Sequence, residues 1–153
     1  MTSDQSAIPP RSILVPTDGS DAAEAALDRA LTIAEPTDAI VHVLTVVDTD
    51  GAPLRFDVET VHELEESKNR LVDEITAALD GHGVDVTGAV RRGRPAREIV
   101  RYAEEHDIDL LVIGRTGQQR VAAALLGSTT DRVVRTASIP VIVVPETDER
   151  TDG

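Results

Sequence analysis

The sequence predicts a single α/β domain built on a five-stranded, mostly parallel sheet with helices on both faces. Two observations carry that expectation. Short apolar runs alternate along the whole chain with stretches whose apolar residues recur at i, i+3, i+4 and i+7, giving the order β-α-β-α-β-α-β-α-β. The length, 153 residues, suits one domain, and the 41% hydrophobic content is nearly all aliphatic, with one Phe, one Tyr and no Trp, so Ala, Val, Leu and Ile must form the core. Right-handed crossovers connect such strands, and a ligand site is expected beyond their carboxyl ends, where the strand order reverses.

Each element has its own signal. Ser12–Pro16 is an apolar run stopped by Pro16 and followed by Asp-Gly-Ser, a turn signature. Ser20 then caps a helix with Ala23, Ala26, Leu27, Ala30, Leu31 and Ala34 on its inner face. Ala39–Val47 reads as the second strand and Thr49–Asp57, which carries Gly and Pro, as a loop. A long helix runs from about Val58 to Leu79, with Val61, Leu64, Leu71, Val72, Ile75 and Ala78 on one face, and stops at Gly81 and Gly83. Val84–Arg91 alternates as a third strand near an edge. Pro95 opens a helix that buries Ala96, Ile99, Val100 and Ala103. Asp109–Gly114 is the fourth strand, Ser128–Ala137 a short helix, and Val141–Val144 the last strand, between Pro140 and Pro145. Residues 1–11 read as a flexible lead, 12–145 as the domain, and 146–153 as an acidic, disordered tail.

Composition excludes several function classes. The formal net charge is −13, which repels polyanions, and the near-absence of aromatic residues removes the stacking platform that single-stranded nucleic acids need. No nucleic-acid partner is expected. The chain has no cysteine, which excludes disulfides, thiolate metal sites and thiol catalysis. No basic stretch leads into a long apolar segment, and no apolar run approaches the roughly 20 residues that span a bilayer, so a cytoplasmic protein without membrane contact is expected. Lys68 is the sole lysine among fifteen basic residues, and acidic side chains are spread along the length. That pattern fits a high-salt cytoplasm that screens the self-repulsion, and hence a halophilic archaeal source.

Chemistry concentrates at two strand ends. At the first, Pro16-Thr17-Asp18-Gly19-Ser20 is a strand-to-helix turn from which Asp18 can accept hydrogen bonds from a ribose or hold a cation. At the second, Gly114-Arg115-Thr116-Gly117 is followed, nine residues later, by Gly127-Ser128-Thr129-Thr130 at a helix start. Phosphate binding asks for close backbone approach and for free N–H groups at a helix N-terminus, and this segment offers both, with hydroxyls besides. The nine residues between are a candidate loop over the phosphates. Arg115 and Arg120 could reach a phosphate or remain solvated loop charges.

The spacing Gly-x₂-Gly-x₉-Gly-Ser, at Gly114, Gly117, Gly127 and Ser128, resembles the nucleotide motif of the ATP-binding branch of the universal stress protein family. ILVPTDGS, VHVLTVVD, GRPAREIV, DLLVIG and SIPVIVVP resemble the family in the same order, so the resemblance covers roughly residues 11–145. It implies a Rossmann-like domain of the adenine-nucleotide-hydrolase-like type. It implies ATP, accompanied by Mg²⁺, as ligand. Pro16, Thr17 and Asp18 would line the adenosine half, with Asp18 on the ribose and as the candidate metal-facing carboxylate. Val46 would pack on adenine, and Ile113 and Gly114 would lie beneath the ribose and phosphates. Gly117, Gly127, Ser128, Thr129 and Thr130 would cradle the triphosphate, with Arg115 a further nucleotide-binding candidate. It further implies a homodimer formed by pairing Ile139–Pro145 with its copy about a two-fold axis.

No enzyme is indicated. A Walker-type run Gly-x₄-Gly-Lys-Ser/Thr is lacking, Lys68 is remote in sequence, and no residue stands out as a general base, so slow ATP turnover is the most this pattern would support. His42, His62, His82 and His106 are scattered over separate elements without ligand spacing. Three alternatives compete with an ATP-binding stress-response protein. A receiver domain would need an acidic cluster after strand one and a Lys after strand five. An ATP-using transferase would need further catalytic residues. The same fold could also serve as a nucleotide-independent interaction module, a reading that the intact glycines oppose.

Overall fold

The computed structural model describes residues 9–49, 58–117 and 125–146. The five strands are β1 (Ser12–Pro16), β2 (Ile40–Asp48), β3 (Asp85–Gly93), β4 (Leu110–Gly114) and β5 (Val141–Val144). The helices are α1 (Asp21–Ala34), α2 (Val58–Leu79), α3 (Pro95–Glu105) and α4 (Ser128–Thr136), with a single 3₁₀ turn at Glu35–Thr37. The sheet order is β3-β2-β1-β4-β5, and every pairing in it is parallel, where a mostly parallel sheet was expected. The order reverses between β1 and β4, so their carboxyl ends diverge into a crevice.

Period-two alternation divides the strands between two helical layers. Ile13, Val15, Val41, Val43, Leu110 and Val112 face Ala26, Ala30 and Ala34 of α1, with Ile75 and Leu79 of α2 packed on the same layer. Leu14, Leu44, Leu111 and Ile113 face Ile99, Tyr102 and Ala103 of α3 and Val133 of α4. Small residues on α1 allow a close approach: a Cβ on Gly114 would lie 2.8 Å from the Ala22 backbone. At Gly88 the same logic seats α2 on β3, because a Cβ there would overlap the Val72 side chain.

Several expectations are corrected at element ends and faces. Ala39 precedes β2, which continues through Asp48, and β3 runs from Asp85 to Gly93 because it stays in register with β2 over nine residues. Asp109 lies outside β4; its carboxylate accepts from the Arg11 and Ser12 amides at 2.9 and 3.1 Å and ties down the start of β1. On α2, Ala78 is exposed, and Leu79 takes the inward position. Two of the histidines are not apart: the fold gathers His42 and His106 around Tyr102, whose ring stacks on His106 at 3.9 Å between centroids and whose hydroxyl meets His42 Nδ1 at 2.8 Å. No group of three potential metal-ligating side chains exists among the described residues, and no described helix is long and apolar enough to cross a membrane.

Candidate functional site

All five strands are parallel, so their carboxyl ends share one edge of the sheet, and the candidate residues collect there. After β1, Thr17 extends the ladder by donating its N–H to the Leu44 carbonyl at 2.8 Å, and its own carbonyl accepts from the buried Thr45 hydroxyl at 2.7 Å. The chain then turns sharply. Gly19 holds φ +83°, a conformation that favours glycine, while its N–H donates to Thr17 Oγ1. Asp18 Oδ1 accepts from the Ser20 amide at 3.0 Å, and Ser20 Oγ caps α1 through the Ala23 amide at 3.2 Å. The protein's own side chains therefore satisfy the start of α1.

The start of α4 is built differently. Gly127 is its N-cap and supplies no side-chain cap, so the first-turn amides of α4 lack the side-chain acceptor that α1 has. The chain around it is fixed by three bonds. Arg115 N–H donates to Val144 O at 2.8 Å, Gly127 N–H to Arg115 O at 2.9 Å, and the buried Thr130 hydroxyl to Gly114 O at 2.7 Å. A Cβ on Gly127 would come within 3.2 Å of Thr116 Cα, and one on Gly117 would lie 2.6 Å from Asp18 Oδ2. The glycines thus bring the two strand ends against each other.

Between them lies a cleft of about 500 Å³. Pro16, Thr17, Asp18, Val46, Ile113, Gly114, Gly117, Gly127, Ser128, Thr129 and Thr130 all line it, which brings together every expected site residue except Arg115. The Arg115 guanidinium instead donates to the Leu125 carbonyl and secures the loop leading into α4. Arg120 and most of the expected phosphate loop lie outside the described residues, as do most of the Thr49–Asp57 loop, nearly all of the N-terminal lead and the tail beyond Glu146.

Sequence reasoning missed several lining residues. Asp48 closes β2, Pro95 and Ile99 come from the start of α3, and Ala23 comes from α1. The parallel sheet was the available signal, since it must bring the ends of β2 and β3 to the same edge as those of β1 and β4. Thr116 also lines the cleft, 3% exposed, and its hydroxyl has no hydrogen-bond partner among the described residues. A buried hydroxyl left unpaired is costly and points to a polar group supplied from the cleft.

The arrangement offers an apolar shelf (Val46, Ile99, Ile113), a carboxylate (Asp18) and a helix start that favours negative charge, which are the parts needed to hold a nucleoside phosphate. Comparison with known proteins identifies the family. A model of the universal stress protein family matches residues 10–145. A universal stress protein of Methanocaldococcus jannaschii is 36% identical over 138 residues, spanning 88% of this chain and 81% of that one. The solved universal stress protein UspA of Lactobacillus plantarum superimposes with a TM-score of 0.77 at 30% identity, covering 90% of this chain and 99% of that one. Another universal stress protein, solved in complex with cAMP, superimposes with a TM-score of 0.67 at 28% identity over 92% of this chain and all of its own. In sequence and in fold, the chain belongs to the universal stress protein family.

Proposed function

We propose that this protein binds ATP in the cleft between the ends of β1 and β4 and acts as a cytoplasmic, dimeric stress-response regulator, not as an enzyme. The observation that carries the reading is the contrast between two helix starts at one edge: α1 is capped by Ser20, whereas α4 has no side-chain cap and opens on the cleft. Ser128, Thr129 and Thr130 would hold the phosphates with first-turn amides and hydroxyls, Asp18 the ribose, and Val46 the adenine. Mg²⁺, if carried with the ATP, would neutralise phosphate charge beside Asp18. The family member solved with cAMP supports a nucleotide as the ligand class. β5 is an edge strand, which leaves it available for a second copy.

The test is thermal unfolding of nucleotide-free protein with and without Mg-ATP, beside Ser128→Glu. That substitution places a carboxylate at the exposed first turn of α4, where it suits the helix dipole but repels phosphate. A ligand that binds only the folded state at 100 times its Kd stabilises by about 2.7 kcal/mol. We expect ATP to raise the wild-type midpoint and to leave the variant unmoved. If empty, folded wild-type protein ignores ATP, the fold serves as a nucleotide-independent interaction module.

A further inference from the structure

A second cavity, of about 860 Å³, continues from the nucleotide cleft into the groove between α3 and α4. The two share Asp48, Pro95, Ser128 and Thr129, so they meet at the start of α4, where the reading above places the phosphates. Five arginines line the groove: Arg94 just before α3, Arg97 and Arg101 from α3, and Arg132 and Arg135 from α4. Among the described residues, Asp48 is its only carboxylate-bearing lining residue. On a chain of formal net charge −13, a third of the fifteen basic residues thus converge on one groove beside the cleft.

Some of this charge is already used. Arg101 pairs with Glu98 at 3.3 Å and Arg135 with Asp131 at 2.9 Å. Arg97 and Arg132, both exposed, form no ion pair among the described residues. They line the groove from different helices. The N-terminus of α3 adds to the positive potential, because its N-cap, Arg94, forms no side-chain cap bond to the first-turn amides. The guanidinium groups repel one another in this groove, and a bound anion would offset that repulsion.

We infer that the groove is an anion subsite, anchored by Arg97 and Arg132, for the distal part of a phosphate chain longer than a triphosphate, as in a nucleoside tetraphosphate or a dinucleoside polyphosphate. This rests on the nucleotide reading of the adjoining cleft. The chain would leave the α4 start past Ser128 and Thr129 and run between the helices, where guanidinium groups suit phosphate oxygens.

The experiment compares AMP, ATP, adenosine 5′-tetraphosphate and inorganic tripolyphosphate by calorimetric titration of nucleotide-free wild type and of Arg97→Gln/Arg132→Gln. Ionic strength is held where circular dichroism shows both proteins folded. We expect tetraphosphate to bind more tightly than ATP in wild type. The double variant should lose about tenfold in affinity for tetraphosphate and tripolyphosphate, while its AMP affinity stays unchanged. If ATP and AMP bind but the variant treats tetraphosphate and tripolyphosphate as wild type does, the inference fails and the nucleotide reading stands. If no nucleotide binds yet tripolyphosphate binds in an arginine-dependent way, the nucleotide reading fails and the anion groove stands. If none of the four binds, both fail.

Discussion

Gly117 stands against Asp18, so near that a Cβ on it would lie 2.6 Å from Asp18 Oδ2. The atom it would strike is the end of a side chain, so Gly117→Ala can be accommodated by turning Asp18 away from the cleft. We predict that unfolding free energy changes by less than about 1 kcal/mol, while ATP affinity falls about tenfold with the displaced carboxylate. Gly114→Ala has no such escape, because its Cβ would meet the Ala22 backbone at 2.8 Å. It should cost about 1–3 kcal/mol by overpacking. Chemical denaturation and nucleotide titration of both variants check the contrast; equal destabilisation by the two would refute it.

Thr45 is 1% exposed and donates its hydroxyl to the Thr17 carbonyl at 2.7 Å. Thr45→Val keeps the shape and removes the donor, leaving that acceptor one partner short. The expected cost is about 1 kcal/mol in urea unfolding. Because Thr17 lines the cleft, nucleotide affinity should weaken as well. A stability loss with unchanged affinity would confine Thr45 to the fold.

Burial, reinforced by the neighbouring His106 charge, holds the His42 pKa below its ordinary value of 6.5. His42 therefore stays neutral in the folded protein at a pH where the unfolded chain is already taking up a proton. The unfolded state binds more protons in that range, so stability rises with pH there. It is fully present above 6.5 and is lost as pH falls through that value toward the lowered folded one. His106, Tyr102 and Arg91 are the other charged or titratable groups around this ring stack, and Arg91 in turn bonds Glu105 and holds that carboxyl below its ordinary range. His42→Gln can still bond the Tyr102 hydroxyl. It should flatten the slope of unfolding free energy as pH falls below 6.5; an unaltered slope would assign it to another group.

The net charge of −13 makes ionic strength a lever on this fold. Screening weakens repulsion between exposed carboxylates separated by more than roughly 10 Å at 0.1 M salt. The unfolding midpoint should rise steeply as salt is added to dilute buffer. Equal stability in dilute and concentrated salt would detach the acidic surface from any high-salt adaptation.

Much of the site was legible because it is written in local spacing. Gly114, Gly117 and Gly127 flank a strand end and a helix start, and both features announce themselves in sequence as an apolar run and as Gly-Ser-Thr-Thr. The helical order of α1 was equally plain from its alanines. What escaped reading was long-range. Asp48 and Pro95 reach the cleft only because the parallel order β3-β2-β1-β4-β5 aligns every carboxyl end on one edge. His42 and Tyr102 meet across 60 residues of chain, and no local pattern encodes that contact. By position Arg115 could reach a phosphate or remain a solvated loop charge; the contact its guanidinium makes with the Leu125 carbonyl, ten residues on, has no local sequence signal.

The edge strand gives the sharpest test of assembly. Pro140 O accepts from Leu111 N–H at 3.0 Å and Val144 O accepts from Arg115 N–H at 2.8 Å, so even-numbered carbonyls of this strand point toward β4. By strand alternation the amides and carbonyls of Val141 and Val143 point the other way, to the open edge. Among the described residues β5 pairs only with β4. A second copy joined about a two-fold axis would use those outward groups in an antiparallel ladder. Val143→Pro removes one outward donor without touching the bonds to β4. It should convert a dimer to a folded monomer in sedimentation at micromolar concentration, with the far-ultraviolet circular dichroism of wild type. A wild type that sediments as a monomer, or a variant that still sediments as a dimer, would place the interface elsewhere. Ile142, 36% exposed on the same strand, offers an independent probe. Ile142→Lys leaves every backbone group in place, so if it dissociates the dimer as well, side-chain packing across the edge contributes alongside the ladder.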